Sequence, residues 1–392
     1  MRLAIALVVL AMLAAACADD TATSTTADAE TTETTATTAT TLATTDTEAP
    51  PETAGDLSKC PNPLVIQTDW FPQPEQGPFF QLTGGVGSID PDSGRFQGPL
   101  TADPSITIEI RAGGPYIGNQ QTTSLLYTDD EIFLGTIGLD EAITNYGTLP
   151  TIAVIAPQET NPLGLMYDPA TYDFASFSDV GASGATVNVF PGMQWIDYLI
   201  ASNQISADQF EGSFDGSPTR FISEEGALVQ QGFATQDGYA YEHTFEAWGK
   251  PVKFLMLHDS GYENYSGMLS MRTDKLDEDT KACLSAFVPL VQQAAVDFMD
   301  DPEPVLDAVQ KANDDLASFY VTTPESNAAT VVQMAELRII DNGPDDTVGN
   351  FDLDRVQGFF DLVKDLPSFN FSEGLTPEDL VTNEFVDPSI GL

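Results

Sequence analysis

The chain has 392 residues and is strongly acidic, with 14 Lys and Arg against 60 Asp and Glu and a formal net charge of −46. A field of this sign repels nucleic acids and anionic lipid surfaces, so neither is expected as a partner. The charge is compatible with a cationic ligand, and equally with an acidic surface that keeps an exported protein soluble.

The first 17 residues have the composition of an export signal. Arg2 precedes an apolar run from residue 3 to residue 16, which is too short to span a bilayer as a mature helix. The run ends in three alanines before Cys17, an arrangement that resembles a lipoprotein lipobox. Residues 1–17 are therefore predicted to be a lipoprotein signal peptide with the lipid on Cys17, and an ordinary secretory leader is the alternative. Two acyl chains there would anchor the protein to the outer face of the cell membrane, an extracytoplasmic location.

Residues 18–59 separate this leader from the rest of the chain. Thr, Ala, Asp and Glu dominate the segment, and beyond alanine only Leu42 and Leu57 offer aliphatic bulk. Such a composition buries too little apolar surface to offset the conformational entropy of the chain. The segment is predicted to be a disordered, Thr-rich linker that carries the folded body on a stalk.

The next part of the chain alternates short apolar segments with helical patterns, interrupted by a Gly-rich stretch from 84 to 103 that is expected to be a long loop. Strands are predicted at 64–68, 106–110, 132–136 and 152–156, and helices at 76–82 and 139–146. This alternation is typical of a parallel α/β sheet.

The same pattern then repeats. Predicted elements are strands at 186–190 and 252–257, a helix from about Met193, further elements at 230–233 and 238–241, a helix from Thr280 and another over 303–319. Two α/β units and a helical tail indicate two lobes with a cleft between them. In such sheets ligands bind beyond the carboxyl ends of the strands.

Two cysteines remain if Cys17 is lipidated. Cys60 stands at the start of the folded body and Cys283 in a predicted C-terminal helix. In an oxidising compartment the two are candidates for a disulfide, and two free thiols are the alternative.

Several kinds of enzyme are excluded by motifs that the sequence lacks. It has no Gly-rich nucleotide-binding loop with Lys, no Gly-x-Ser-x-Gly and no His-Glu-x-x-His, and its two histidines, His243 and His258, belong to no such pattern. The acidic run 341–346 lacks the ligand spacing of a calcium loop. We therefore expect neither enzymatic activity nor a cofactor or metal site.

A family resemblance rests on several motifs that occur in a consistent order. The segment Val65 to Pro72 contains Thr-Asp-Trp-Phe-Pro and resembles the first strand and helix of thiamine-precursor-type solute-binding proteins, a group within the type II periplasmic binding superfamily that serves ABC importers. Further similar segments lie at 152–166, 187–198, 238–242, 249–265, 349–357 and 382–386. The resemblance thus covers nearly the whole chain after Cys60.

This resemblance implies a two-lobed α/β fold with the ligand cleft at the hinge. Residues 60–156 and 260–392 would form lobe 1, and residues 157–259 would form lobe 2. The protein would capture a small solute as a monomer and present it to an ABC permease and its ATPase.

The resemblance also places candidate ligand-binding residues. Asp69 and Trp70 follow the first strand, and an indole face and a carboxylate suit an aromatic or cationic nitrogen compound. Thr136 and Gly138 would supply backbone hydrogen bonds. The remaining candidates are Trp195, Tyr241, Glu242 and Tyr265, of which Glu242 would close onto the ligand from the second lobe.

The implied solute is a small nitrogen heterocycle such as a thiamine pyrimidine precursor, because the chain has only 14 basic residues to recognise an anion. Other small solutes, such as a sulfonate, nitrate or an amine, are the alternatives. Relatives that synthesise the pyrimidine carry a cysteine-rich motif that is absent here, and a surface sensor is a further possibility.

Overall fold

The computed structural model describes residues 55–316 and 322–392. The predicted signal peptide, Cys17 and the predicted linker up to residue 54 lie outside these residues. The last residues of the predicted linker lie inside them, because the Asp56 N–H donates to the carbonyl of Ala282 at 2.8 Å and Lys59 pairs with Asp279 at 2.8 Å. The described fold therefore begins slightly before Cys60.

Twelve strands form two sheets within the described residues. The strands are β1 (Leu64–Gln67), β2 (Ser88–Asp90), β3 (Arg95–Pro99), β4 (Thr107–Arg111), β5 (Leu134–Ile137), β6 (Thr151–Ile155), β7 (Leu163–Tyr167), β8 (Val187–Asn188), β9 (Phe210–Glu211), β10 (Val229–Phe233), β11 (Lys253–Met256) and β12 (Met268–Arg272). The first sheet has the order β2-β3-β4-β1-β5-β12-β6, and the second has the order β11-β7-β10-β8-β9.

Helices connect these strands and form the C-terminal region. They are α1 (Gly77–Gln81), α2 (Thr122–Thr128), α3 (Leu139–Asn145), α4 (Phe177–Ser183), α5 (Trp195–Ala201), α6 (Thr219–Ser223), α7 (Asp237–Tyr239), α8 (Glu278–Asp300), α9 (Glu303–Leu316), α10 (Pro324–Glu336) and α11 (Leu353–Val363). The predicted helices at 76–82 and 139–146 correspond to α1 and α3.

The first sheet is mixed, which corrects the expectation of a parallel sheet. β1 lies parallel to β4 and β5, as predicted, but β12 inserts antiparallel between β5 and β6.

The prediction of a loop at 84–103 is also wrong, because β2 and β3 form an antiparallel hairpin on the edge of the sheet. Each hairpin strand buries few side chains, chiefly Ile89 and Phe96, so its apolar pattern is too sparse to reveal a strand.

The second sheet is built entirely from the chain between β6 and β12. β8 lies parallel to β9 and β10, whereas β7 pairs antiparallel with both β10 and β11. The chain thus leaves the first sheet after β6, forms the second sheet and returns through β12.

The long helix α8 stabilises the first sheet. Its nine buried residues include Phe287 and Val291, which share one apolar core with Leu64 and Ile66 of β1. Burial of such a side chain contributes about 1.5–3 kcal/mol to the stability of the fold.

Among the described helices α8 is the one whose length and composition would also suit a membrane span, but here half of its most apolar stretch is buried in the protein. Cys283 of α8 forms a disulfide with Cys60.

Arg355, in the first turn of α11, ties together the segments that connect the two sheets. Its guanidinium donates to the carbonyl and the carboxylate of Glu159, both at 2.9 Å, in the segment after β6. It also donates to the carbonyl of Glu263 at 2.9 Å, in the segment before β12, and lies 3.8 Å from the ring centre of Tyr265. A planar fork with several donors is suited to hold these segments in one arrangement.

Candidate ligand-binding site

A cavity of about 550 Å³ lies where the carboxyl ends of first-sheet strands face the start of α5. We call the part of the chain between β6 and β12, which forms the second sheet, the second unit, and the remaining described residues the first unit. Asp69 and Trp70 follow β1 and contribute to one wall of the cavity. Gly192 to Trp195 contribute the facing wall from the second unit. The volume is in the range of sites for small organic ligands. The position beyond the strand ends is where α/β sheets bind ligands.

The turn after β1 holds Asp69 in a defined orientation. Its backbone N–H donates to the Thr136 hydroxyl at 2.8 Å, and the same hydroxyl donates to Asp69 Oδ1 at 2.8 Å. Gly113 lies so close behind the turn that a Cβ there would approach the Asp69 carbonyl carbon to 2.3 Å. Asp69 is exposed toward the cavity, and partial desolvation by the surrounding protein raises the pKa of its carboxyl group.

Two further carboxyl groups line the same cavity at the start of α3. Asp140 accepts from the Tyr262 hydroxyl at 3.1 Å and from the Glu141 N–H at 2.9 Å. Glu141 accepts from the N–H and hydroxyl of Thr123. Desolvation raises the pKa of Asp140, and desolvation together with the charges of Asp140 and Asp69 raises the pKa of Glu141 to about 7. The sequence analysis did not identify either residue, and their only signal is their position in the first turn of the predicted helix after β5.

The described lining of this cavity includes no Lys, Arg or His. Its three carboxyl groups therefore lack a basic partner in the cavity wall, and a positive charge placed between them would be stabilised by the surrounding negative field. The described residues also contain no group of three His, Cys, Asp or Glu arranged to hold a metal ion.

Two tryptophans contribute to the cavity lining, one after β1 and one at the start of α5. Trp70 is half-buried and packs over Gly114, where a Cβ would come within 3.0 Å of the ring. Trp195 opens α5, is 3% exposed and packs edge-on against Phe210. Both residues belong to the cavity lining. The half-buried ring of Trp70 can contact a flat or cationic ligand, whereas Trp195 is almost fully buried in the wall.

Buried polar atoms without a hydrogen-bond partner concentrate at this cavity. The described chain has nine such side-chain atoms, and three of them belong to lining residues: Thr122 Oγ1, Trp195 Nε1 and Ser368 Oγ. Buried polar groups in proteins almost always have a partner. These three atoms are buried behind the cavity surface, and they are polar groups without a protein partner in its wall.

Thr136 and Gly138 are near this site but not in the predicted way. Thr136 lies within β5, which ends at Ile137, one residue beyond the predicted end of the strand. Its buried side chain, and not its backbone, contacts the site by orienting Asp69. Gly138 precedes α3, where a Cβ would come within 2.5 Å of Asp140 Oδ1. Gly138 thus leaves space for the Asp140 carboxylate.

The structure places Tyr241, Glu242 and Tyr265 away from the cavity. The segment around Tyr241 is helical, with α7 followed by a single π-helical turn over Ala240–Thr244, so Tyr241 points into the core of the second unit and accepts from Gln230 at 2.9 Å. Glu242 faces solvent. Tyr265 is buried beside Arg355, and its oxygen accepts from the Asp352 N–H at 3.0 Å. The helical turn accounts for the direction of Tyr241 and Glu242, whereas Tyr265 lies in an irregular segment before β12.

No family model matches the chain, and no curated protein matches it. Among solved structures it is similar to the ligand-binding component of an ABC-type import system from Staphylococcus aureus with zinc bound, with 13% identity and a TM-score of 0.52 over 84% of this chain and 100% of that one. A structure from Bordetella bronchiseptica RB50 has 14% identity and a TM-score of 0.51 over 83% and 96%. The described residues therefore have the two-lobed α/β fold of periplasmic binding proteins.

Proposed function

We propose that this chain is the extracytoplasmic solute-binding component of an ABC importer, and that it captures a small, positively charged nitrogen heterocycle such as a thiamine pyrimidine precursor. The observation that carries the proposal is the cavity wall in which Asp69, Asp140 and Glu141 stand beside the indoles of Trp70 and Trp195, with no basic lining residue.

The chemistry of this wall favours the heterocycle over the alternatives. An indole attracts a flat cationic ring, and a carboxylate with little access to water binds ring N–H and amino groups strongly. A sulfonate or nitrate would meet three carboxyl groups and no guanidinium or ammonium group. An aliphatic amine would use the carboxylates but leave the accessible ring of Trp70 without an aromatic partner.

The solute would be captured between two lobes. Lobe 1 would consist of residues 60–156 and 260–392, and lobe 2 of residues 157–259. The two sheets and the Arg355 contacts with the connecting segments support this division. Closed around its solute, the protein would dock as a monomer onto a permease that an ATPase drives.

The location follows from the N-terminal sequence and is also a proposal. Residues 1–17 would direct export, a lipid on Cys17 would anchor the protein, and residues 18–59 would carry the lobes away from the membrane. The Cys60–Cys283 disulfide supports an oxidising compartment. Replacement Cys17→Ser should release the protein into the surrounding medium, and continued membrane retention would contradict the anchor.

Binding is tested on a soluble Cys17→Ser preparation by calorimetry and thermal unfolding. The probes are a hydroxymethyl aminopyrimidine, an N-methylated pyrimidinium and an alkanesulfonate. We expect both pyrimidine probes to bind and to raise the Tm, because a ligand at 100 times its Kd stabilises the folded state by about 2.7 kcal/mol. Asp69→Asn should weaken binding, whereas Glu242→Gln, at an exposed carboxylate outside the cavity, should not. Binding of the sulfonate alone would overturn the proposed ligand class, and conversion of a pyrimidine probe would indicate an enzyme.

A further inference from the structure

Glu75 stands at the contact between the two units, outside the cavity described above. It lies in the turn Pro74–Gln76 that leads into α1 of the first unit, and its side chain is almost fully buried, with the residue 3% exposed. A carboxylate at such a position is expected to have a basic partner. No described Lys, Arg or His forms an ion pair with it.

The side chains that satisfy Glu75 come from the second unit. The Thr235 hydroxyl donates to Glu75 Oε1 at 2.5 Å, and Gln236 Nε2 approaches Oε1 at 3.0 Å and Oε2 at 2.8 Å. Gln236 Nε2 also lies 3.2 Å from Gln73 Oε1 of the first unit. Both donors belong to the short segment between β10 and α7, so one unit supplies the acceptors and the other supplies the donors.

We propose that Glu75, Thr235 and Gln236 form a latch that holds the two lobes together in the solute-free protein. Hydrogen bonds to an ionised group are stronger than those between neutral groups, so their loss matters more. If the donors withdraw while the lobes stay together, a buried carboxylate remains without partners, which is costly. Desolvation raises the pKa of Glu75, in keeping with this enclosed position.

A second contact between the units has a different character. Gln194 Nε2 donates to the Thr144 hydroxyl at 2.5 Å, which joins the start of α5 to α3 at the cavity. Both partners are neutral and both line the cavity. Gln236 instead contacts Glu75, which lines a smaller cavity together with Asp69. Gln236 itself lines neither this cavity nor the large one, so its removal alters the lining of neither.

The test replaces the donor and measures the shape of the protein without solute. Gln236 is half-buried, so Gln236→Ala should fold, as circular dichroism will check. We expect X-ray scattering from the solute-free Cys17→Ser chain to show a more open particle for Gln236→Ala than for the parent. The ratio of closed to open protein should fall by about tenfold. Thr235→Val should act in the same direction.

Gln333→Ala is the matched control. Gln333 is also a half-buried glutamine that donates to a glutamate, Glu336 Oε2 at 2.7 Å, but both residues lie in α10. This variant should scatter like the parent. Adding Glu75→Ala to Gln236→Ala should restore part of the closed population, because it removes a buried carboxylate that retains only the Thr235 donor.

The latch would be overturned if Gln236→Ala and the parent scatter identically, or if Gln333→Ala opens as much as Gln236→Ala. It would also be overturned if the double variant of Glu75→Ala and Gln236→Ala is more open than Gln236→Ala alone. If the double variant fails to fold, the comparison of Gln236→Ala with Gln333→Ala decides. The latch bears on solute capture only if the proposed function holds. The scattering test needs no solute, so the two proposals can fail separately. If Gln236→Ala is more open than the parent but the parent binds none of the three probes, the latch is supported and the proposed function is refuted.

Discussion

The Thr136 hydroxyl bonds twice to Asp69, accepting from its backbone N–H and donating to its carboxylate, both at 2.8 Å. Thr136 lies in β5 and Asp69 follows β1, and these strands are parallel neighbours in the first sheet. The sheet therefore fixes the direction in which the Asp69 carboxylate enters the cavity.

Thr136→Val should weaken binding of the aminopyrimidine probe by about tenfold, and it should also lower the Tm because the Asp69 N–H loses its acceptor. Valine keeps the shape and strand preference of threonine but removes the hydroxyl that orients Asp69. Calorimetry measures the effect, with Thr148→Val, at an exposed threonine, as the control. Unchanged affinity in Thr136→Val would mean that the orientation of Asp69 does not matter for binding.

Trp70→Ala should reduce the affinity for the same probe by more than tenfold, because the ligand loses an aromatic wall. Two of the three tryptophans of the chain line the cavity, so binding is followed by quenching of tryptophan fluorescence. The third, Trp248, packs against Phe221 and Tyr241 in the second unit, and Trp248→Ala is the control for general destabilisation. An equal loss of affinity in both variants would argue against a direct contact at Trp70.

The affinity for a permanently charged N-methylated pyrimidinium should rise between pH 6 and pH 8. The pKa of Glu141 is raised to about 7, chiefly by burial and further by Asp140 and Asp69, so its carboxyl group ionises in this window and then attracts the cation. Glu141→Gln should bind more weakly at pH 8 and show a flatter pH profile. A profile identical to that of the parent would assign the titration to another group.

The raised pKa of Glu141 also predicts how the stability of the solute-free protein depends on pH. Because the folded-state pKa of Glu141 is above its unfolded value of about 4.3, its proton stabilises the fold fully below that value, and this contribution is lost as the pH rises through about 7. Glu141→Gln should therefore raise the Tm relative to the parent at pH 8 and leave it nearly unchanged at pH 4. A loss of Tm at pH 8 would show that the ionised carboxylate stabilises the fold.

Reduction of the Cys60–Cys283 disulfide should lower the free energy of unfolding by about 2–5 kcal/mol. The bond connects residues that are 223 positions apart and holds the segment before β1 against α8, so its loss frees a long loop in the unfolded chain. Urea unfolding with and without reductant measures the change, and the double variant Cys60→Ser, Cys283→Ser should match the reduced protein. An unchanged midpoint would mean that packing of α8 alone holds this segment.

Local sequence patterns predicted much of the first sheet. The strands β1, β4, β5 and β6 were located within one or two residues, because buried strands show continuous or alternating apolar side chains. The pattern did not reveal β12 or the β2–β3 hairpin. The position of a strand within a sheet, and its direction, depend on partners that are remote in the chain.

By itself the sequence determined the acidic charge, the alternation of strands and helices, and the placement of Asp69 and Trp70 directly after a buried strand. These properties follow from composition and from side-chain periodicity along the chain. Only the tertiary structure decided that Asp140, Glu141 and Trp195 meet Asp69 at one cavity, and that Tyr241 and Tyr265 lie in the core instead. Membership of a cavity depends on which strand ends and helices become neighbours in space, and that is decided by long-range packing.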